Sequence, residues 1–199
     1  YTAEEYMEKC KTLRKYYKNP ALTTDIIVGF PGETEEEFIR SKAFIDEVNF
    51  YETHIFKYSK REGTKAAELD GEVPEIVKTA RSSELIELSR KKKTAYEMSL
   101  IGTVKEVLME ERVMREDGIY QVGHTREYVK IGQKTERNLV NQLVNVEIKI
   151  IYKFFKIFNP YPFTSKYTLD THDNIIIFKS HNQPKHRNIT ENEKIYDSG

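Results

Sequence analysis

The run Thr24-Asp25-Ile26-Ile27-Val28-Gly29-Phe30-Pro31-Gly32-Glu33-Thr34 holds the residue types best suited to gripping a small molecule. An apolar stretch ends in a Gly-Phe-Pro-Gly turn, and a polar segment follows. In α/β sheets, open or barrelled, ligands sit at the carboxyl ends of the strands. Gly29 and Gly32 would let a ligand come close to the backbone. The same spacing also suits a plain strand-turn-helix connection with no ligand. The single cysteine, Cys10, can neither close an internal disulfide nor hold a metal cluster alone. Its expected role is that of a small buried hydrophobe.

The elements that must position these residues are legible in the pattern. Thr2 to Tyr17 reads as a helix, with Thr2 and Glu5 forming a capping box and Asn19-Pro20 ending it. Leu22 to Phe30 is β-branched and continuously apolar, which suits a strand buried on both faces of a parallel sheet. Thr34 followed by Glu35, Glu36 and Glu37 is an N-cap with acidic residues where the helix dipole favours them. Tyr51 to Tyr58 reads as a second strand, and Glu75 to about Ser99 as a long polar helix with sparse apolar positions. Its Arg90-Lys91-Lys92-Lys93 run suits a solvated face. The order helix, strand, helix, strand indicates α/β units and a parallel sheet.

From Ile101 the texture changes to short period-two segments: Val104 to Glu110, Gly118 to Thr125, Tyr128 to Ile131 and Leu143 to Ile150. Asp117-Gly118 is a strong hairpin signal. Together these predict a small antiparallel barrel beginning near residue 99. Residues 152–199 are biased toward Phe, Tyr, Ile, Asn and Lys without periodicity. They read either as a flexible extension or as the product of a reading-frame shift in an AT-rich gene. The absence of an initiator Met before a helix-like start reads as a truncation point.

Lys and Arg total 32 and Asp and Glu total 32, so the chain has no net charge. That excludes a uniformly basic nucleic-acid coat, but not a local basic patch. No apolar run approaches the roughly 20 residues of a membrane span. No secretory leader is visible, and with a single cysteine and no disulfide framework a cytoplasmic protein is expected.

Two segments in this order, DIIVGFPGET and HIFKYSKREGTKAA (His54 to Ala67), are similar to those of the radical-SAM methylthiotransferase family. The resemblance is strongest to the branch that methylthiolates threonylcarbamoyladenosine beside the tRNA anticodon. Gly123-His124-Thr125-Arg126-Glu127-Tyr128-Val129 resembles the Gly-x-Thr-x-x-Tyr-hydrophobic signature of that family's RNA-binding TRAM domain. The resemblance covers about residues 1–150. It implies an α/β C-terminal half of a partial TIM-like barrel over 1–98, a small antiparallel β-barrel over 99–151 and a divergent tail over 152–199.

The resemblance also implies roles. Ile26, Ile27, Val28 and Gly29 would line the adenine side of S-adenosyl-L-methionine, and Glu33 would cap the turn or reach the cofactor. His54, Tyr58, Ser59 and Arg61 would face the substrate, the Arg61 fork suiting a phosphate or carboxylate. Arg126, Tyr128 and Lys130, with Lys149, would offer basic and aromatic groups to a tRNA anticodon stem-loop. Arg112 and Arg115 would add to that surface. The family carries [4Fe–4S] clusters on cysteines, one set as CxxxCxxC, and takes electrons from a donor. None of those cysteines is present, so the chain is expected to be inactive alone, with no catalytic or metal-binding residue of its own. Two other readings stay open: an RNA-binding module only, or a methylthiotransferase acting on a ribosomal protein or on isopentenyladenosine in tRNA.

Overall fold

The structure, a computed structural model, describes residues 1–115, 117–153 and 174–178. Helix α1 is Ala3–Tyr16, with the Thr2/Glu5 capping box formed in both directions. Strand β1 is Thr23–Val28, helix α2 Glu35–Val48 and strand β2 Glu52–Lys57. Thr34 and Glu37 form a second reciprocal capping box at the start of α2. Asn49 ends that helix in the left-handed region (φ 57°). A short 3₁₀ turn, Lys65–Glu68, precedes the long helix α3, Glu75–Ser99.

β1 and β2 pair in parallel, Asp25 beside His54 and Ile27 beside Phe56. The expectation that β1 is buried on both faces is corrected. Its exposure alternates, and Ile27 is 55 % exposed. All three helices lie against one face: Cys10 of α1, Phe38, Ile45 and Val48 of α2 and Leu85 of α3 share a core with Val28, and Ile26 and Ile55 pack against it. A two-stranded sheet offers the helices one side, and the other side carries Asp25, Ile27, His54 and Phe56, all exposed and uncovered by the described residues. Cys10 is buried as expected, and burial pushes its thiol pKa up.

Strand β3 is Val104–Arg115, β4 Gly118–Thr125, β5 Lys130–Lys134, β6 Leu143–Glu147, β7 Ile150–Lys153 and β8 Asn174–Phe178. They form one sheet in the order β6-β3-β4-β5-β8-β7. Every pair is antiparallel except β5 with β8. The sheet is compatible with a small β-barrel of the expected kind. β3 is longer than its sequence pattern indicates because the hairpin through Asp117-Gly118 carries its pairing out to Arg115. The expected strand through Tyr128 starts only at Lys130, and the expected strand 143–150 ends at Glu147. Of the tail, only Tyr152, Lys153 and β8 lie within the described residues. The reading of the remainder as an extension or a frame-shifted segment falls outside them.

The β-sheet core gathers Val107, Met109, Ile131, Val146 and Ile148 around Leu100, and it also takes Tyr51. The Tyr96 ring of α3 lies tilted against Tyr51, centroids 4.8 Å apart, and its hydroxyl donates to the Asn19 carbonyl at 2.8 Å. Burial pushes the Tyr96 hydroxyl pKa up to about 12, with the Glu127 carboxylate adding to the effect. Among the described residues no helix is long and apolar enough to cross a membrane.

Candidate functional site

Two places gather the residues singled out by the sequence. The first is the carboxyl end of β1. Gly29 has φ +73°, which favours glycine. Its N–H donates to Glu33 Oε2 at 2.6 Å. The same oxygen accepts from Arg81 Nη1 at 2.8 Å, and Arg81 Nη2 donates to Glu35 at 3.0 Å. The Arg81 side chain is only 7 % exposed and lies over the Phe38 ring. Burial works against its charge, but the carboxylates of Glu35 and Glu33 outweigh it and raise its pKa. Glu33 therefore caps the turn. The space where a Gly29 side chain would stand is taken by the stem of Lys78, 2.2 Å from an ideal Cβ. On that side the close approach at Gly29 is made by this chain's own lysine.

Alternation decides what the strand offers. Ile26 and Val28 pack on the core side, so of the three apolar residues expected to line the cofactor only Ile27 faces outward, beside Phe56 of β2. His54 is exposed on that open face next to Asp25. Tyr58 follows at the strand end, its N–H bonded to the Val28 carbonyl at 2.8 Å and its ring edge-on to Phe30 at 5.4 Å. Its hydroxyl is buried without a partner among the described residues. Ser59 and Arg61 are exposed in the loop beyond. The Arg61 guanidinium makes no ion pair with the described residues, so its fork is available to an anion.

The second place is the turn after β4. Thr125 accepts from the Val129 N–H through its hydroxyl and donates its own N–H to the Val129 carbonyl. Between them Tyr128 adopts φ +63°, rare for an aromatic residue. Its ring is not core, since it is 77 % exposed. It stacks on His124 with centroids 4.5 Å apart and planes within 12°. Gly123 has no room for a side chain, because an ideal Cβ would stand 1.8 Å from the Leu108 carbonyl oxygen. The Gly-x-Thr-x-x-Tyr-hydrophobic pattern is thus physically accounted for: glycine for strand contact, threonine to clasp the turn, tyrosine outside and Val129 buried.

Three of the basic residues expected around it are paired. Arg126 bonds Glu106, Lys130 lies 3.8 Å from Glu111 and Lys149 is 3.2 Å from Glu147. Lys105 pairs with Glu127. Burial alone would raise the Glu127 pKa, but the Lys105 ammonium, the backbone N–H and the Thr125 hydroxyl together bring it below the ordinary 4.5. A lowered carboxyl pKa stabilises the fold above the unfolded-state value, and this is lost as pH falls through the folded value. In urea melts Glu127→Gln should therefore be less stable than the parent above pH 4.5, the gap closing below it; a pH-independent gap would refute this.

Sequence reasoning overlooked Lys78, Arg81 and Glu110, and took His124 only as part of a pattern. Arg81 lies 48 residues from Glu33 on a helix whose buried stripe, Lys78, Arg81, Leu85 and Ser89, is mostly polar. No hydrophobic period exists there to reveal it.

No family model matches the chain. Among curated proteins, the threonylcarbamoyladenosine tRNA methylthiotransferase MtaB of Bacillus subtilis is 39 % identical over 150 residues, 74 % of this chain and 33 % of that protein. The tRNA-2-methylthio-N(6)-dimethylallyladenosine synthase of Aquifex aeolicus is 38 % identical over 148 residues, again 74 % of this chain and 33 % of that protein. The chain belongs to the radical-SAM methylthiotransferase family. It spans about a third of the length of the curated relatives it matches.

Within that family the cofactors can be tested against the residues present. The Ile27–Phe56 pair on the open sheet face is a flat apolar surface that fits an adenine ring. A [4Fe–4S] cluster does not fit. It takes Cys thiolates, whereas the one cysteine is buried with a raised pKa. Among the described residues no group of three or more His, Cys, Asp or Glu is placed to hold a metal ion.

Proposed function

We infer that this methylthiotransferase chain serves the modification of tRNA: adding a methylthio group at C2 of N6-threonylcarbamoyladenosine beside the anticodon, with S-adenosyl-L-methionine as cofactor. In this reading residues 1–98 form one side of a barrel whose interior face is the open side of β1 and β2. Residues 99–151 are a TRAM-like domain that holds the anticodon stem-loop. Parallel sheets are normally covered on both faces, so an uncovered face bearing Ile27, Phe56 and His54 suits a barrel interior. The cluster chemistry is assigned to thiolates outside this chain, and the chain alone would not turn over.

The observation that carries the RNA half is Tyr128, an aromatic ring held outside the core by a left-handed backbone. Such a ring costs stability where it stands and suits stacking on an unpaired base. Because Arg126 is 81 % exposed and its pair with Glu106 is a surface contact, the guanidinium can exchange that carboxylate for a phosphate at little cost. Tyr128→Ala should weaken binding of an RNA hairpin to the full chain by about tenfold or more, since stacking contributes roughly 1–3 kcal/mol per base. Arg126→Ala should act less, through one fewer phosphate contact and a shallower salt dependence. Filter binding at two salt concentrations checks both; equal losses at every salt would count against the assignment.

The reaction is tested in cells. Disrupting the gene should abolish 2-methylthio-threonylcarbamoyladenosine in hydrolysed tRNA, measured by mass spectrometry. Loss of the dimethylallyl (isopentenyl) nucleoside instead would move the substrate to the other kind of relative. No change in either nucleoside would refute the reading.

A further inference from the structure

We propose that His124, held by Glu110, is a positioning residue that fixes the Tyr128 ring as a platform for an unpaired nucleobase. The inference rests on the tRNA-binding reading above and names the device within it. It begins with the irregularity in β3. Met109 pairs with Gly123 and Glu111 pairs with Val122, so Glu110 is the extra residue of a β-bulge. Bulges re-aim side chains. Here the carboxylate of Glu110 meets the His124 ring, Nδ1 to Oε2 at 2.7 Å. With Nδ1–H donating to the carboxylate, rotation of the imidazole about its bond to Cβ is stopped. The His124 side chain is only 21 % exposed, and Leu108 is its register partner across the strands.

Tyr128 completes the arrangement. A surface tyrosine ordinarily samples several rotamers, and ordering it for a ligand carries an entropic cost at binding. The parallel stack on a fixed imidazole meets part of that cost beforehand. One face of the phenol ring lies on His124, and the residue as a whole remains 77 % exposed. Gly123 borders the same device, because its bare Cα lets β4 close on the backbone of Leu108 and Met109 next to the bulge. A flat ring supported from below by a second flat ring suits a base ring, which would become the third member of the stack.

The test uses the full chain and an RNA hairpin with 2-aminopurine at an unpaired loop position, whose fluorescence falls on stacking. Affinity is read separately from an end label. His124→Ala should weaken binding by about tenfold and remove most of the quenching in the bound complex. His124→Phe, which keeps a flat ring but loses the bond to Glu110, should lose only part of both signals, whereas His124→Leu, which keeps bulk but not flatness, should match His124→Ala. Glu110→Ala should fall between. The double variant His124→Ala with Tyr128→Ala should bind no more weakly than Tyr128→Ala alone, because the two residues act as one unit. If His124→Leu quenches and binds like His124→Phe, or if His124→Ala matches the parent while Tyr128→Ala does not, the proposal is wrong and the RNA reading stands. If the unsubstituted chain does not bind the hairpin at all, both fall.

Discussion

Gly123→Ala is expected to lower the stability of the chain by about 3 kcal/mol or more, at the upper end of what overpacking does. The added methyl would stand 1.8 Å from the Leu108 carbonyl oxygen and 2.7 Å from Met109 Cα. These are backbone atoms, and no rotamer change removes them. Relief requires β3 and β4 to part where they carry the bulge, and that strand contact sits over the buried Val107 and Met109. Thermal melts should show a drop on the order of 10 °C. Gly63→Ala is the control. Its φ of +77° disfavours alanine, but nothing lies within 4 Å of the new atom, so about 1 kcal/mol is expected. Equal melting points for the two variants would show that strand contact is not what requires Gly123. Because Gly123 contacts β3 right beside the bulge that carries Glu110, Gly123→Ala should weaken RNA binding even at temperatures where the chain remains folded.

The parts of this fold that were legible in the sequence are those specified by neighbours. The Thr2–Glu5 capping box and the Thr34 N-cap are signals carried within four residues, and both formed, Glu37 completing a second box with Thr34. α3 begins just after Pro74 because the proline fixes its own backbone and ends the extended loop. The hairpin at Asp117-Gly118 is equally local. β1 misled because its composition, Ile-Ile-Val, describes a strand buried on both faces, and composition does not say how many strands or helices are at hand to cover it. Lys92 and Lys93 look like a solvated run, yet they reach across to Asp46 and Glu52. A one-dimensional pattern does not carry such a reach. Tyr128 could be read as core or as platform, and the fold decides: at φ +63° in a clasped turn the residue is 77 % exposed. His124 and Glu110 were invisible as a pair because the bulge that joins them is a register shift, and register belongs to the paired strands together.

The second large effect is expected at Arg81. Its guanidinium ties the start of α2 to α3, since one nitrogen meets both the carboxylate and the carbonyl of Glu33 and the other meets Glu35. The Glu33 side chain is itself largely buried. Arg81→Met removes the cation and leaves a carboxylate out of water with only the Gly29 N–H as partner. Breaking a buried pair from one side typically costs about 3–5 kcal/mol, because the remaining charge is uncompensated. A loss of this size is expected in urea melts at neutral pH. Adding Glu33→Gln to Arg81→Met should recover a large part of it. The amide carbonyl still accepts from Gly29, the buried charge is gone, and the methionine continues to cover Phe38, over which the guanidinium lay. Glu35→Gln should matter far less, since Glu35 is mostly exposed and water replaces its partner. If Arg81→Met alone melts like the parent, Glu33 finds another donor and the turn does not depend on α3. If the double variant is as unstable as the single one, the loss comes from packing over Phe38 and not from charge. The expected order, parent above double variant above Arg81→Met, is what a buried charge held for the sake of one turn would give. That turn is the one whose glycine and proline first marked the sequence as a place to hold a ligand.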